Sequence, residues 1–296
     1  MKKHRLVNYL FVAPCVFAFV MVVIIPFFLG VYYSLTDWKG FGNNVNFVGF
    51  ENYKDLFSQP GFIYSFLITI AFTLINIVVV NVVSFFMSLL VTSNVRFKNF
   101  YRAGFFVPYL IGGIVLGYIW QFIFNQAIVG LGNVFSVGFL QKSLLANPNL
   151  VIWVMSFVNT WQYAGYIMLI FVAAIQTIPA SLLEAANVDG AGPFMRVRKI
   201  IIPMMANAFT ISLFLTLTNS FKQYDMNFSL TGGGPATRFL DSPVNSSQLF
   251  AMDIVKTAGS NAGVAEAQAK AVIFFLVLVG VSLIQVKINK SKEVEM

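Results

Sequence analysis

Six stretches of this chain are long and apolar enough to cross a bilayer, and no other feature limits its fold so strongly. They cover residues 8–35, 62–91, 101–125, 151–178, 207–230 and 270–286; the last is shorter, and its start can extend back towards Gly263. Crossing ~30 Å of hydrocarbon takes about 20 residues of helix. Unpaired backbone cannot face lipid, so each stretch reads as a helix. The period-two alternation of a membrane barrel is absent. Only 10% of residues are charged and 58% are hydrophobic, whereas soluble domains carry about 25% charged residues. The chain is therefore expected to be an all-α membrane protein, a single transmembrane domain over 1–296 with six transmembrane helices.

The net charge of +8 would suit a nucleic-acid partner, but its distribution does not. Basic residues sit in short clusters at the ends of apolar runs. With the N-terminus in the cytoplasm, the inner segments hold Lys2, Lys3 and Arg5; Arg96, Lys98 and Arg102; Arg196, Arg198 and Lys199; and Lys287, Lys290 and Lys292. Only Glu184, Asp189, Glu293 and Glu295 oppose them there, while basic and acidic residues balance on the other side. That asymmetry is the positive-inside pattern and gives an N-in, C-in topology. Nucleic acid is not an expected partner. Cys15 is the single cysteine, so the chain cannot form an internal disulfide. The apolar run continues past it, so it reads as an unmodified residue of a membrane helix and not as a lipoprotein or signal-peptide cleavage site. His4, in the basic N-terminus, is expected to be solvated.

Topology places residues 179–206 in the cytoplasm, between the fourth and fifth spans. Ser181, with Glu184 three residues on, suggests a capping box. Leu182, Leu183, Ala185 and Ala186 favour helix. Asp189-Gly190 breaks it, with Gly190 free to take a positive φ. Pro193 suits the first turn of a second helix, which runs through Arg196, Arg198 and Lys199 towards Pro203. The segment therefore reads as helix, glycine turn, helix. On the opposite side, residues 231–269 form a long external loop in which Gly232-Gly233-Gly234-Pro235 marks a turn. An amphipathic helix is expected within it, over 247–257.

The run Glu184-Ala185-Ala186, followed by Gly190, Ile200, Ile202 and Pro203, resembles the EAA motif of ABC importer permeases. The family pattern has Leu where this chain has Ile202, a change conservative in size. Phe221-Lys222-Gln223-Tyr224-Asp225 and Leu230-Thr231-Gly232-Gly233-Gly234-Pro235 are similar to the carbohydrate-importer branch, and the Asp189-Gly190-Ala191-Gly192-Pro193 form looks like the maltose-type "F" subunit. The resemblance covers most of residues 9–287; the first two spans match mainly in hydropathy. It implies a type I ABC importer permease fold, multi-pass in a bacterial or archaeal cell (inner) membrane, whose EAA loop is a coupling helix docked on an ATPase subunit. Glu184, Ala185, Ala186, Asp189 and Gly190 become the docking residues. The small alanines would allow close approach, and Glu184 a charge-assisted bond. Arg196, Arg198 and Lys199 either pair with acidic ATPase residues or simply hold the loop in the cytoplasm. The implied partners are a second, related permease subunit, two ATPase subunits, an extracytoplasmic substrate-binding protein that touches 231–269, a sugar, and membrane lipid.

No phosphate-binding Gly-rich loop followed by Lys and Ser or Thr is present; Gly232–Arg238 does not fit one. No metal-ligand spacing and no nucleophile–base pair occurs. The chain is expected to be no enzyme and to hold no cofactor of its own, with ATP and Mg on the partner ATPases. Polar residues within spans tend to face a cavity. In the fourth span, Asn159, Tyr163 and Tyr166 share a helix face, with Gln162 adjacent; in the fifth, Thr216, Ser220 and Gln223 do, with Asn219 adjacent. Amides, hydroxyls and aromatic rings suit a sugar, so these residues are candidates for the substrate pathway, their alternative role being interhelical hydrogen bonds. Thr69, Thr73 and Asn76 share a face of the second span. Lys222 either snorkels to the interface or pairs with Asp225; as the sole candidate cation, it tilts the reading towards a neutral substrate. Alternatives are an ABC importer for another solute, such as a phosphorylated polyol, and a secondary transporter, although the repeats and midplane ionisable groups of the latter are not apparent.

Overall fold

The computed structural model describes residues 2–42, 45–93, 95–260 and 263–290. Lys292, Glu293 and Glu295 lie outside these, as do the side chains of Lys2, Lys3, His4, Arg5 and Lys290. The molecule is helical apart from one β-hairpin. Helix α1 begins at Lys2 and, through a π turn over Val20–Ile24, runs to Tyr33. It is followed by short α2 (Glu51–Leu56), α3 (Pro60–Thr92), α4 (Lys98–Phe106) and α5 (Gly113–Val134). Next come α6 (Val151–Gln176), α7 (Ala180–Val188), α8 (Pro193–Met204), α9 (Ala206–Phe221) and α10 (Asp225–Thr231). Strands β1 (Ala236–Phe239) and β2 (Ser242–Asn245) pair antiparallel, and α11 (Phe250–Ala258) and α12 (Val264–Lys290) complete the chain. Among the described residues five helices are long and apolar enough to cross a membrane, and the bent pair α8–α9 makes a sixth.

Contacts divide the chain into two units. The first holds the residues up to Gln59 together with Asp253–Leu276. Its polar groups are tightly paired. Asn52 donates to the carbonyls of Ser34 and Thr36, both at 2.8 Å, and Ser34 Oγ lies 2.6 Å from Tyr53 Oη. Lys270, only 3% exposed, reaches Asp253 at 2.9 Å, Thr257 Oγ1 at 2.8 Å and Glu266 at 3.6 Å. A charge this deep is tolerated because it is paired and hydrogen-bonded.

The second unit, Pro60–Met252 with the residues from Val277 on, contains the candidate site. One face of α3 supplies its seam: Ser65, Thr69, Thr73, Asn76, Val80, Ser84, Ser88 and Val91 recur at helical spacing, and all are buried. Small side chains let membrane helices approach closely. Their hydroxyls are satisfied by carbonyls one turn back or on the facing helix: the single Ser84 Oγ proton is shared between Val80 O at 2.6 Å and Ala164 O on α6 at 2.9 Å. Gly165 of α6 meets the α4 terminus so closely that a Cβ there would collide with the Phe105 carbonyl oxygen.

Three stretches differ from the sequence expectation. The span expected over 101–125 is broken: α4 ends at Phe106, a 3₁₀ turn covers Val107–Leu110, Ile111 is extended, and α5 starts only at Gly113. Pro108 and the Gly112-Gly113 pair account for the break, and Gln162 Nε2 donates to the freed Ile111 carbonyl at 2.9 Å. The span expected over 207–230 stops at Phe221 and resumes at Asp225 as α10, which packs on α5. The stretch 231–269 is largely structured, holding the hairpin, α11 and the start of α12 at Val264. Asn227 organises part of it by donating to Ser247 O at 2.8 Å and accepting from Leu249 N at 3.3 Å.

Candidate coupling surface and polar seam

The segment after α6 is built by local chemistry. Pro179 occupies the N-cap of α7, so Ser181 lies inside the helix, and the expected capping box with Glu184 does not form. The fixed φ of proline and its inability to continue the preceding helix place the boundary there. At the other end Gly190 has φ +77°. Ala191 N donates to Ala186 O at 2.8 Å and Gly190 N to Asn187 O at 3.1 Å, the two bonds of a Schellman closure. Gly192 then caps α8, with Pro193 at its first position. A π turn over Val197–Ile201 precedes Pro203, and α8 meets α9 at a 72° bend. Met205, at the bend, is fully buried against Val80, Ile167, Phe171 and Ala208.

This bracket is bare. Helix α7 buries none of its residues. Glu184, Ala185, Asp189 and Gly190 are exposed and Ala186 is half-buried. Val188 is 89% and Phe194 77% exposed. Arg198 and Lys199 are exposed, whereas Arg196 is half-buried and donates to Asn187 Oδ1 at 2.5 Å.

The polar residues between the long helices behave in the opposite way. Gln223 Nε2 donates to Asn159 Oδ1 at 3.0 Å, and Asn159 Nδ2 to Asn76 Oδ1 at 2.8 Å. The Asn76 amide in turn reaches Phe72 O at 2.7 Å. One chain of amides thus links α6, α3 and the segment after α9. Beside it, Asn81 Nδ2 donates to Thr216 Oγ1 at 3.2 Å, and Thr216 to Ser212 O at 2.8 Å. Asn81 is a member that sequence reasoning missed; its spacing from Asn76 hid it, and its signal was the cost of an amide inside an apolar run. Ser220 is buried, and its Oγ has no hydrogen-bond partner among the described residues.

Tyr163, Tyr166 and Asn219 are half-buried. Tyr109, also missed, brings the two tyrosines together: its ring stacks on Tyr166 at 4.5 Å and meets Tyr163 edge-on at 5.7 Å. The predicted pathway residues therefore fall into two sets. Asn159, Thr216, Ser220 and Gln223 are buried, the first two and Gln223 in interhelical bonds, and Tyr163, Tyr166 and Asn219 keep accessible surface. A separate groove of about 560 Å³ lies beside another face of α6, lined by Ile75, Val83, Phe105, Trp153, Phe157 and Trp161 among others.

Membrane-length helices around a polar seam, with an uncovered bracket, are the architecture of a polytopic membrane protein. The chain belongs to the family of binding-protein-dependent transport system inner membrane components, whose model matches residues 80–292. AmyD, the probable starch degradation products transport system permease protein of Thermoanaerobacterium thermosulfurigenes, is 40% identical over 294 residues, covering 99% of this chain and 97% of AmyD. MsmF, a multiple sugar-binding transport system permease protein of Streptococcus mutans, is 29% identical over 269 residues, 91% of this chain and 90% of MsmF. The fold is that of type I ABC importer permeases. A chain of a bacterial ABC transporter involved in import of the acidic polysaccharide alginate superposes with a TM-score of 0.82 at 16% identity, over 98% of this chain and 96% of that one.

Proposed function

We propose that this permease passes a neutral sugar or oligosaccharide across the membrane by alternating access, driven by ATP hydrolysis on partner ATPase subunits that α7 engages. The observation that carries the reading is the bare bracket. A helix that buries none of its residues, closed by a glycine turn and flanked by exposed Val188 and Phe194, is a surface awaiting a partner. Glu184, Ala185, Ala186, Asp189 and Gly190 form that surface, and ATP and Mg belong to the ATPases. A second, related permease chain supplies the other bracket, and an extracytoplasmic binding protein delivers substrate near the hairpin and α11. Rigid-body movement of helices then alternates the access.

The relatives named for starch degradation products and multiple sugars favour a carbohydrate. Tyr163, Tyr166 and Asn219 suit the apolar faces and hydroxyls of a sugar ring, and Tyr109 brings the two tyrosine rings together. Uptake by cells carrying Gly190→Pro tests the coupling. Proline cannot adopt φ +77° and removes the donor to Asn187 O, so uptake is expected to vanish while the chain still inserts; normal ATP-dependent uptake refutes the docking surface. A panel of neutral sugars and phosphorylated polyols offered to the partner binding protein tests the substrate class.

A further inference from the structure

Across the Gly190–Gly192 turn, the side chain of Arg196 in the first turn of α8 bonds that of Asn187 in the last turn of α7. The backbone alone is a poor strut at this point. Gly190 and Gly192 lack the side chains that restrict φ and ψ, and Cβ atoms built on either would meet no other atoms within 4 Å. The two Schellman bonds fix the end of α7 but not the direction in which α8 departs. The Nη1–Oδ1 bond restrains that remaining freedom by tying the two helices side chain to side chain. Arg196 Nε is buried without a hydrogen-bond partner, so the side chain is held in place rather than extended into solvent. Beyond it α8 runs through the π turn to Met205, which anchors the bend in the buried cluster of Val80, Ile167 and Phe171.

We infer that Arg196 is a positioning residue: its bond to Asn187 locks α7 and α8 into one rigid lever, so that displacement of α7 is delivered to the Met205 bend and on to α9. The inference rests on the reading of α7 as the ATPase-docking helix. With the tie cut, the turn flexes and the ATPases still dock and cycle, but their stroke is absorbed at Gly190–Gly192.

The test uses the complete transporter, both permease chains with ATPases and binding protein, in proteoliposomes. Arg196→Ala is expected to keep the ATPases in the purified complex and to keep ATP hydrolysis stimulated by the binding protein. Substrate moved per ATP is expected to fall about tenfold, as befits loss of a charge-assisted hydrogen bond. Asn187→Ala should give the same fall, and the double variant no further fall. Asn187→Asp keeps an acceptor for the guanidinium and should retain transport. An unchanged transport-to-ATP ratio in Arg196→Ala overturns the inference, as does an additive double variant. If Arg196→Ala fails to assemble, the exposed Asn187→Ala decides: a parental ratio there refutes the lever. Failure of the underlying reading looks different, because ATPases that co-purify undiminished with a Val188→Asp, Phe194→Asp variant would show that α7 is not where they bind.

Discussion

The cytoplasmic bracket and the buried amide seam are both polar interruptions in an apolar chain, and they are built by opposite rules. In the bracket, the bonds that shape α7 join residues close in sequence: Pro179 to Leu182, Ala186 to Ala191, Asn187 to Arg196. Its outer side chains are left uncovered. In the seam, the shaping bonds join residues far apart, Asn76 to Asn159, Asn159 to Gln223 and Asn81 to Thr216, and the side chains are sealed from solvent. The difference separates two demands. A surface left uncovered has only its sequence neighbours to shape it, so its bonds are local. Amides in the bilayer interior have no water to turn to and must be satisfied by other helices.

Substitutions can break or sharpen that contrast, and their effects on stability should run from large to negligible. Gly165→Leu should be the most damaging, since even a Cβ collides with the Phe105 carbonyl. Overpacking of this kind costs ~1–3 kcal/mol or more, so the purified variant should aggregate or melt far below the parent. Asn159→Leu should follow. It strands Asn76 Oδ1 and Gln223 Nε2, and an unmet buried polar group costs about 1–3 kcal/mol; a clear fall in thermal midpoint in detergent is expected, together with loss of uptake. A parental midpoint would show that the seam is not structural.

Tyr166→Ala should cost less stability, because the ring is only half-buried, at the margin of the Met205 cluster and stacked on Tyr109; aromatic pairs contribute ~0.5–1.5 kcal/mol beyond their area. Uptake kinetics should show a raised KM for substrate, and an unchanged KM would remove Tyr166 from the pathway. Glu184→Ala should leave the thermal midpoint of the isolated chain unchanged, as exposed substitutions usually stay within about 0.5 kcal/mol, yet co-purification with ATPases and uptake should both drop. If Glu184→Ala destabilised the isolated chain as Asn159→Leu does, the contrast between an uncovered bracket and a buried seam would collapse.

Much of this molecule is legible in the order of its residues. Long apolar runs mark the helices because the bilayer admits little else, and clustered basic residues orient them. The bracket was legible down to Gly190 and Pro193, because a positive φ and a first-turn proline are properties of single residues. One detail there failed for the same local reason: Ser181 and Glu184 have capping-box spacing, but Pro179 ends the previous helix so sharply that α7 begins too early for Ser181 to cap it.

What the tertiary structure decided is the set of pairings. Sequence shows that Asn159, Gln223, Asn76 and Asn81 are costly in a membrane, but an amide accepts any partner within reach, and reach is set by how helices cross. The same holds for Tyr109, whose role appears only once the 3₁₀ turn over Val107–Leu110 brings its ring onto Tyr163 and Tyr166, and for Gly165, whose missing side chain matters only because the α4 terminus passes there. Short-range bonds are written in the order of the residues. Long-range bonds depend on the crossing of helices that residue order alone does not specify.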